Sequence, residues 1–138
     1  MPVIRVVDGD TLHVLLNGHD TTVRLIGMNT PETVKPNSPV ECFGPQASDY
    51  AKQLLDGAQV TLEFDASQGP TDRYGRTLAY VWKETPDGLL LVNLDEVERG
   101  FARQRQYGPN PSAWQAELQA AQDRARAGGQ GLWSACPS

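Results

Sequence analysis

The stretch VIRVVDGDTLHVLLNGHDTTVRLI, residues 3–26, decides the fold. Apolar and polar residues alternate in three runs, over 3–7, 11–16 and 21–26, which is typical of β-strands with one buried face. Asn17-Gly18 separates the second run from the third, and Asn-Gly between apolar runs is a strong signal for a tight hairpin turn. We therefore predict a meander of three strands at the start of the chain.

The remaining sequence predicts two more strands and about three helices. The predicted strands are 60–64 and 77–82, and the predicted helices are 45–55, 91–99 and 112–127. Ser112 and Gln115 have the spacing of a capping box, which would begin the third helix at Ser112. Five strands with a helix after the third predict an α+β fold, a closed five-stranded Greek-key barrel of the OB type.

The chain of 138 residues is predicted to form a single domain over 1–138, since this length can bury a substantial core. No apolar run approaches the length of a membrane span, and no signal segment precedes the first strand, so we expect no membrane partner. Because strand-like sequence begins at Val3, we expect a mature domain whose export signal was removed. A secreted or extracytoplasmic monomer is the resulting expectation.

The net charge of −5 excludes the broadly basic surface that non-specific duplex-binding proteins use. Any nucleic-acid binding must therefore be local. The cations that could supply it lie in or near the proposed site segments: Arg24, Lys35, Arg73, Arg76, Arg103 and Arg105.

The two cysteines, Cys42 and Cys136, leave two alternatives open. They lack the CxxC spacing of a zinc site. A disulfide would tie a loop to the C-terminal tail, whereas two free thiols would leave both segments unlinked. Sequence gives no distance between the two residues and does not decide between these alternatives.

Three motifs carry the chemistry: DGDT at 8–11, RLIGMNTPET at 24–33 and DRYGR at 72–76. They contain the three arginines Arg24, Arg73 and Arg76, several oxygen ligands and one candidate base. Arginine matches phosphate because its planar guanidinium donates two parallel hydrogen bonds, and clustered carboxylates suit a hard cation such as calcium. The combination predicts metal-assisted attack on a phosphodiester.

In their order and spacing these motifs resemble the thermonuclease family, the staphylococcal-nuclease-like proteins, from about Val3 to about Trp133. The resemblance implies an OB-type barrel and a calcium-dependent nuclease that cleaves DNA and RNA. It further implies a preference for single strands and products that carry a 3′-phosphate.

The resemblance also implies the catalytic residues. Arg24 and Arg76 match the two arginines that hold the scissile phosphate, and Glu32 matches the general base that activates water. For Glu32, a bulk electrostatic role or a role in ordering its loop is the alternative. For the two arginines, the alternative is a pair of surface salt bridges.

Asp10 matches a calcium-ligating carboxylate, and the carbonyl of Thr30 matches a backbone ligand. Asn29 departs from the family pattern, which has a metal-binding aspartate at this position. An amide oxygen can still bind calcium, but one unit of negative charge is missing. We therefore predict weaker calcium binding.

Four residues are expected to bind substrate: Arg73, Tyr74, Tyr107 and Lys35. A tyrosine can hydrogen-bond a phosphate or stack on a base, and stacking tolerates any sequence. Packing within the protein is the alternative for Tyr107. Lys35 belongs to a proline-rich loop over 31–45 whose composition predicts flexibility.

Two other interpretations of the whole chain remain at this point. The first is a catalytically weak or inactive OB-type module that binds nucleic acid or protein, which Asn29 and the acidic balance favour. The second is a variant engineered on this scaffold. The nuclease is the stronger hypothesis because the base and both arginines are present.

Overall fold

The computed structural model describes residues 1–33, 37 and 39–137, and the predicted substrate residue Lys35 lies outside the described residues. The strands are β1 (Val3–Asp8), β2 (Thr11–Leu16), β3 (His19–Leu25), β4 (Met28–Asn29), β5 (Val60–Glu63), β6 (Thr77–Thr85), β7 (Gly88–Leu91) and β8 (Arg103–Gln104). The helices are α1 (Gly44–Leu55), α2 (Val92–Glu98), α3 (Gln115–Ala127) and the short α4 (Leu132–Ala135). The predicted α+β class and the N-terminal meander are confirmed.

The main sheet has six strands in the order β1-β2-β3-β6-β5, with β7 paired to β6. The strands pair antiparallel except for β3 and β6, which run parallel. The prediction of five strands omitted β7. This strand forms because the turn after Thr85 reverses the chain and places 88–91 beside β6.

The sheet is not the closed barrel that was predicted. In the described part of the chain, its two edges are joined by an isolated antiparallel bridge between Pro2 and Gln59 rather than by a ladder of β1 on β5. Two hydrogen bonds flank the bridge, from the Val60 N–H to the Met1 carbonyl (2.8 Å) and from the Val3 N–H to the Ala58 carbonyl (3.0 Å). The edges therefore meet at one end only.

The core lies between the sheet and the helices, where α1 packs against β1, and α2 packs against α3 and β6. The alternating residues of the meander supply its centre, including Leu12, Val14, Val23 and Leu25, all at most 1% exposed. Burying side chains of this size contributes about 1.5–3 kcal/mol each. None of the helices in the described residues has the length and apolar character needed to cross a membrane.

Helix α3 begins at Gln115, so the predicted capping box at Ser112 is wrong. The Ser112 side chain is hydrogen-bonded to the Tyr80 hydroxyl, and only its backbone carbonyl accepts the Gln115 N–H. The buried Asp65 carboxylate accepts the same Tyr80 hydroxyl (2.7 Å) and the Ala113 N–H (2.7 Å). This tertiary network, rather than a local cap, sets the start of the helix.

The structure contains a disulfide between Cys42 and Cys136, with an S–S distance of 2.11 Å. It joins the segment just before α1 to the residue that follows α4, across 94 positions of the chain. Of the two alternatives that the sequence left open, the structure has the covalent link.

Candidate active site

Arg24 lies near the end of β3 and is only 8% exposed. Its Nη1 donates hydrogen bonds to the carbonyl oxygens of Leu25 (2.9 Å) and Met28 (3.1 Å). Gly27, at φ 80°, supplies the left-handed backbone that lets the β3–β4 turn curl around the guanidinium. Arg24 is therefore a buried group in a fixed position, and not half of a surface salt bridge.

The other terminal nitrogen of Arg24, Nη2, contacts three groups that the sequence singled out. It donates to the Asn29 Oδ1 (3.2 Å) and to the Tyr107 hydroxyl (2.7 Å), and it lies 3.3 Å from the Asp10 Oδ2. Tyr107 is 83 positions from Arg24 in the chain, so only the tertiary fold brings them together. Arg24 thus joins the predicted metal residues to the predicted substrate residues.

The DRYGR turn is held together by Asp72. Its Oδ1 accepts the backbone N–H groups of Tyr74 and Arg76 (both 2.9 Å), and its Oδ2 accepts the Arg76 Nε–H (2.7 Å). Burial by itself raises the pKa of Asp72, but the hydrogen bonds from Arg76 and Tyr74 outweigh it and the pKa is lowered. The ionised carboxylate of Asp72 therefore fixes the orientation of the Arg76 side chain.

Tyr74 is 68% exposed, and the guanidiniums of Arg73 and Arg76 both lie close to its ring. The Cζ of Arg73 lies 4.9 Å from the ring centroid and that of Arg76 lies 5.3 Å from it. Arg73 also donates to the Tyr74 hydroxyl (2.7 Å). The cations of Arg73 and Arg76 in the same turn thus hold the exposed ring in position.

These groups line one pocket of about 630 Å³. Of the predicted catalytic and substrate residues it brings together Arg24, Arg73, Tyr74, Arg76 and Tyr107. It also contains Arg105, which the motifs did not assign to the site. Four guanidiniums around one pocket make a concentrated positive region on a chain of net charge −5.

An acidic region lies beside the pocket, where the β1–β2 turn packs against Thr30. The Asp10 Oδ2 accepts the Thr30 N–H (3.2 Å), and a Cβ at Gly9 would lie 2.6 Å from the Thr30 methyl carbon, so only glycine fits there. The pKa of Asp8 is raised to about 6 by burial and, to a smaller extent, by the negative charges of Asp10 and Glu32. The negative charges of Asp10 and Glu32 thus make ionisation of Asp8 more costly, and a nearby cation would relieve this cost.

The donor set fits a hard cation in its chemistry, because a carboxylate, an amide oxygen and a carbonyl are all oxygen ligands. The Thr30 Oγ1 is buried and has no hydrogen-bond partner among the described residues. The Asn29 amide oxygen, however, is already held by Arg24. Within 1–33, 37 and 39–137 no three Asp, Glu, His or Cys side chains are grouped as for a metal ion, so the calcium ligands Asp10, Asn29 and Thr30 stay a prediction.

Glu32 lies on the acidic side of the site and is not among the residues that line the arginine pocket. Its backbone is fixed by Glu41, whose side-chain Oε1 accepts the Glu32 N–H (2.7 Å) and whose N–H donates to the Glu32 carbonyl (2.9 Å). Gly44 packs closely on the same carbonyl, where an added Cβ would lie at 3.0 Å. The segment that carries the predicted base is therefore anchored to the start of α1.

Sequence reasoning missed a buried acid beneath the site. Glu96 of α2 is fully buried, and neither carboxyl oxygen has a hydrogen-bond partner among the described residues. Its pKa is raised well above the usual value by burial and by the charges of Asp10, Asp95 and Asp8, against a smaller lowering effect of Arg24. A signal was present, because Glu96 follows the buried start of α2 by one helical turn and so belongs to its buried face.

We expect replacement of Glu96 with Gln to change how stability depends on pH. Above about pH 4.5 the carboxyl ionises in the unfolded chain while the folded protein keeps the proton, so the free energy of unfolding falls by about 1.4 kcal/mol per pH unit until the folded pKa is reached. The variant lacks this contribution. Urea unfolding of both proteins between pH 4 and 8 measures it.

Asp8, whose pKa is also raised, remains in both proteins, so the difference between their curves isolates Glu96. Curves that run parallel across this pH range would show that Glu96 does not hold its proton on folding.

The chain matches the family model described as staphylococcal nuclease homologue over residues 22–135. It is 44% identical to the thermonuclease of Staphylococcus hyicus over 96% of its length, and 48% identical to the thermonuclease of Staphylococcus intermedius over 78%. It is also 44% identical to endonuclease YncB of Bacillus subtilis over 67% of its length. The chain covers 74%, 61% and 45% of these three relatives.

Proposed function

Because the chain belongs to the staphylococcal nuclease homologue family, we propose that it is a calcium-dependent nuclease that hydrolyses phosphodiester bonds in DNA and RNA. The names of its relatives, thermonuclease and endonuclease, support phosphodiester hydrolysis as its chemistry. The observation that carries the proposal is the pocket that gathers Arg24 and Arg76 with two tyrosines next to an acidic region.

Arg24 and Arg76 would hold the phosphoryl oxygens of the scissile phosphate. Both guanidiniums are already fixed, Arg24 by backbone carbonyls and Arg76 by Asp72, so little reorganisation is needed when charge builds up on the phosphate. Glu32 would take the proton of the attacking water. Calcium held by Asp10, Asn29 and the Thr30 carbonyl would supply electrostatic stabilisation of the same phosphate.

Single-stranded substrate is supported by the aromatic groups of the pocket. Tyr74 is 68% exposed and Tyr107 is 43% exposed, and unpaired bases can stack on such rings without regard to sequence. Arg73, which has no carboxylate partner in the described residues, would contact a phosphate, and Lys35 is proposed to do the same from its loop. The proposal includes a monomeric protein and products with a 3′-phosphate.

The disulfide supports a location outside the cytoplasm. Structural disulfides form and persist in oxidising compartments and are rare where thiols are kept reduced. The link between Cys42 and Cys136 thus favours the secreted or extracytoplasmic location that was expected from the sequence.

A binding module without turnover is the second candidate function. It is favoured by Asn29, whose amide oxygen accepts a hydrogen bond from Arg24. Compared with an aspartate at this position, asparagine also gives the predicted metal site one negative charge less. The two functions differ in whether bound nucleic acid is cleaved. Incubation of end-labelled single-stranded DNA, single-stranded RNA and duplex DNA with the protein and calcium tests both, with end-group analysis of any products. Retention of intact strands under all conditions would favour the binding module.

Replacement of Asn29 with Asp is expected to lower the calcium concentration needed for half-maximal activity by about tenfold. The change restores a carboxylate next to Asp10 and adds one negative charge to the site, and both effects favour a divalent cation. The measurement is the initial rate of single-strand cleavage across a calcium titration. An unchanged calcium requirement would mean that position 29 is not a ligand in this protein.

Replacement of Arg76 with Gln is expected to lower kcat by about 10²–10³, the usual effect of removing one donor that stabilises transition-state charge. Arg99 provides a matched control, because it forms the same i,i+4 ion pair with an aspartate, Asp95, outside the pocket. Arg99→Gln should keep kcat within twofold of the wild type. Initial rates at saturating substrate measure both variants, and a similar loss in the two would argue against a role for Arg76 at the phosphate.

A further inference from the structure

The arginines of the pocket differ in how far their hydrogen-bonding capacity is already used. Arg24 donates to four oxygen atoms, and Arg76 is paired with Asp72. Arg105 is exposed, and no described residue accepts a hydrogen bond from its guanidinium or forms an ion pair with it. Its five N–H donors are therefore open to a ligand in the pocket.

The position of Arg105 is nevertheless well defined. Its backbone N–H donates to the Gly27 carbonyl (2.9 Å), in the turn that wraps around Arg24. Its guanidinium Cζ lies 4.9 Å from the ring centroid of Tyr107, and the hydroxyl of that tyrosine is bonded to Arg24. Backbone and side chain thus both tie Arg105 to the arginine proposed to hold the scissile phosphate.

A cation over the Tyr107 ring makes no hydrogen bond there, so the N–H groups of Arg105 remain available for an anion. Arg24 is 5.4 Å from the same ring, so two cations share one tyrosine. Their mutual repulsion, together with the charges of Arg73 and Arg76 in the same pocket, would be relieved by more than one negative charge. A polyanion fits this arrangement better than a single phosphate.

We infer that Arg105 binds a phosphate of the substrate that neighbours the scissile one, so that the pocket recognises an oligonucleotide through at least two consecutive phosphates. The inference rests on the proposed nuclease function and adds a residue to it. Arg105 is linked to Arg24, which is proposed to hold the scissile phosphate, only indirectly, through Tyr107. We therefore assign Arg105 to substrate binding and not to the chemical step.

The test compares the wild type with Arg105→Gln and with Arg126→Gln as the matched control. Arg126 is exposed and lies over the ring of Trp133, at 5.6 Å, and it does not line the pocket. Fluorescence anisotropy with a labelled single-stranded deoxynucleotide of eight thymidines, in the presence of chelator to prevent cleavage, gives the affinity at several salt concentrations. Arg105→Gln should weaken binding about tenfold and lower the slope of log affinity against log salt by about 0.7. Arg126→Gln should leave both unchanged.

Kinetics separate a neighbouring phosphate from the scissile one. With the oligonucleotide, Arg105→Gln should raise KM about tenfold and keep kcat. With a nitrophenyl ester of thymidine phosphate, which has a single phosphodiester group, it should leave kcat/KM unchanged. An equal loss on both substrates, or an affinity and salt slope like those of the wild type, would overturn the inference.

The two proposals fail in distinguishable ways. A wild-type protein that binds the oligonucleotide but cleaves neither substrate would refute the nuclease, while a smaller salt slope for Arg105→Gln would still support the phosphate contact. A wild-type protein that cleaves both substrates, with Arg105→Gln indistinguishable from it, would refute the inference alone. No binding by the wild type would overturn both.

Discussion

Replacement of Glu32 with Gln is expected to lower kcat for cleavage of single-stranded DNA by about 10²–10⁴, the usual contribution of a general base. Glutamine has nearly the same size and keeps the backbone pairing of this segment with Glu41, but it cannot accept the proton of the attacking water. Initial rates at saturating calcium and substrate measure the effect.

Glu41→Gln is the control that separates a base from an electrostatic or loop-ordering role. It removes one negative charge from the same region and retains an oxygen atom that can accept the Glu32 N–H. A base at position 32 predicts a large loss for Glu32→Gln and a rate within a few fold of the wild type for Glu41→Gln. Similar losses in both variants would assign the effect to the charge or order of the loop.

Replacement of Cys42 and Cys136 with Ser is expected to lower the free energy of unfolding by about 4 kcal/mol. The disulfide closes a long loop, with 94 positions between its ends, and in the chain-entropy account it restricts the unfolded chain most when the loop is long. The link also restrains the start of α1 and the end of α4 in the folded protein. Urea unfolding of the double variant and of the wild type, with and without reductant, gives the difference.

The reductant arm serves as the control, because reduction should shift the unfolding midpoint of the wild type toward that of the double variant and leave the variant unchanged. Equal midpoints for the oxidised wild type and the variant would show that the link contributes no stability. A full count of two reactive thiols in the denatured, unreduced wild type would contradict the disulfide itself.

The parts of the fold that sequence predicted well depend on local periodicity. The alternation over 3–26 and the Asn17-Gly18 turn correctly predicted β1, β2 and β3 and their antiparallel pairing. The helical spacing over 45–55 likewise predicted α1 within one residue at its start. Neighbouring residues in the chain carry these signals, so no knowledge of distant contacts was needed.

The errors occurred where distant residues decide the outcome. Whether the sheet closes depends on how β1 pairs with β5. The start of α3 depends on Ser112, whose side chain is hydrogen-bonded to Tyr80 and does not cap the helix. The short strands β4 and β8 exist only because Met28 and Asn29 pair with residues about 75 positions away. The sequence around Met28 and Asn29 does not indicate that these residues pair with β8.

For the site, the motifs and the family resemblance named Arg24, Arg76 and Tyr107, and the structure places all three around one pocket. The sequence named Arg105 only as one of six cations near the site segments and gave it no specific role, whereas the structure places it in the pocket, with a backbone hydrogen bond to Gly27. The motifs also did not include Glu96. Its raised pKa follows from the fold, which buries the carboxyl group without a hydrogen-bond partner among the described residues. Both residues lie outside the three motifs, and the fold is what places them at the site.

The most direct test of the account is the rate at which the wild-type protein hydrolyses heat-denatured DNA across a calcium titration, with a chelator as the zero point. A calcium-dependent nuclease should show cleavage that rises with calcium, saturates, and disappears with excess chelator. Absence of cleavage at every calcium concentration, by a protein shown to be folded and to bind the same DNA, would contradict it and leave the binding module as the function of this pocket.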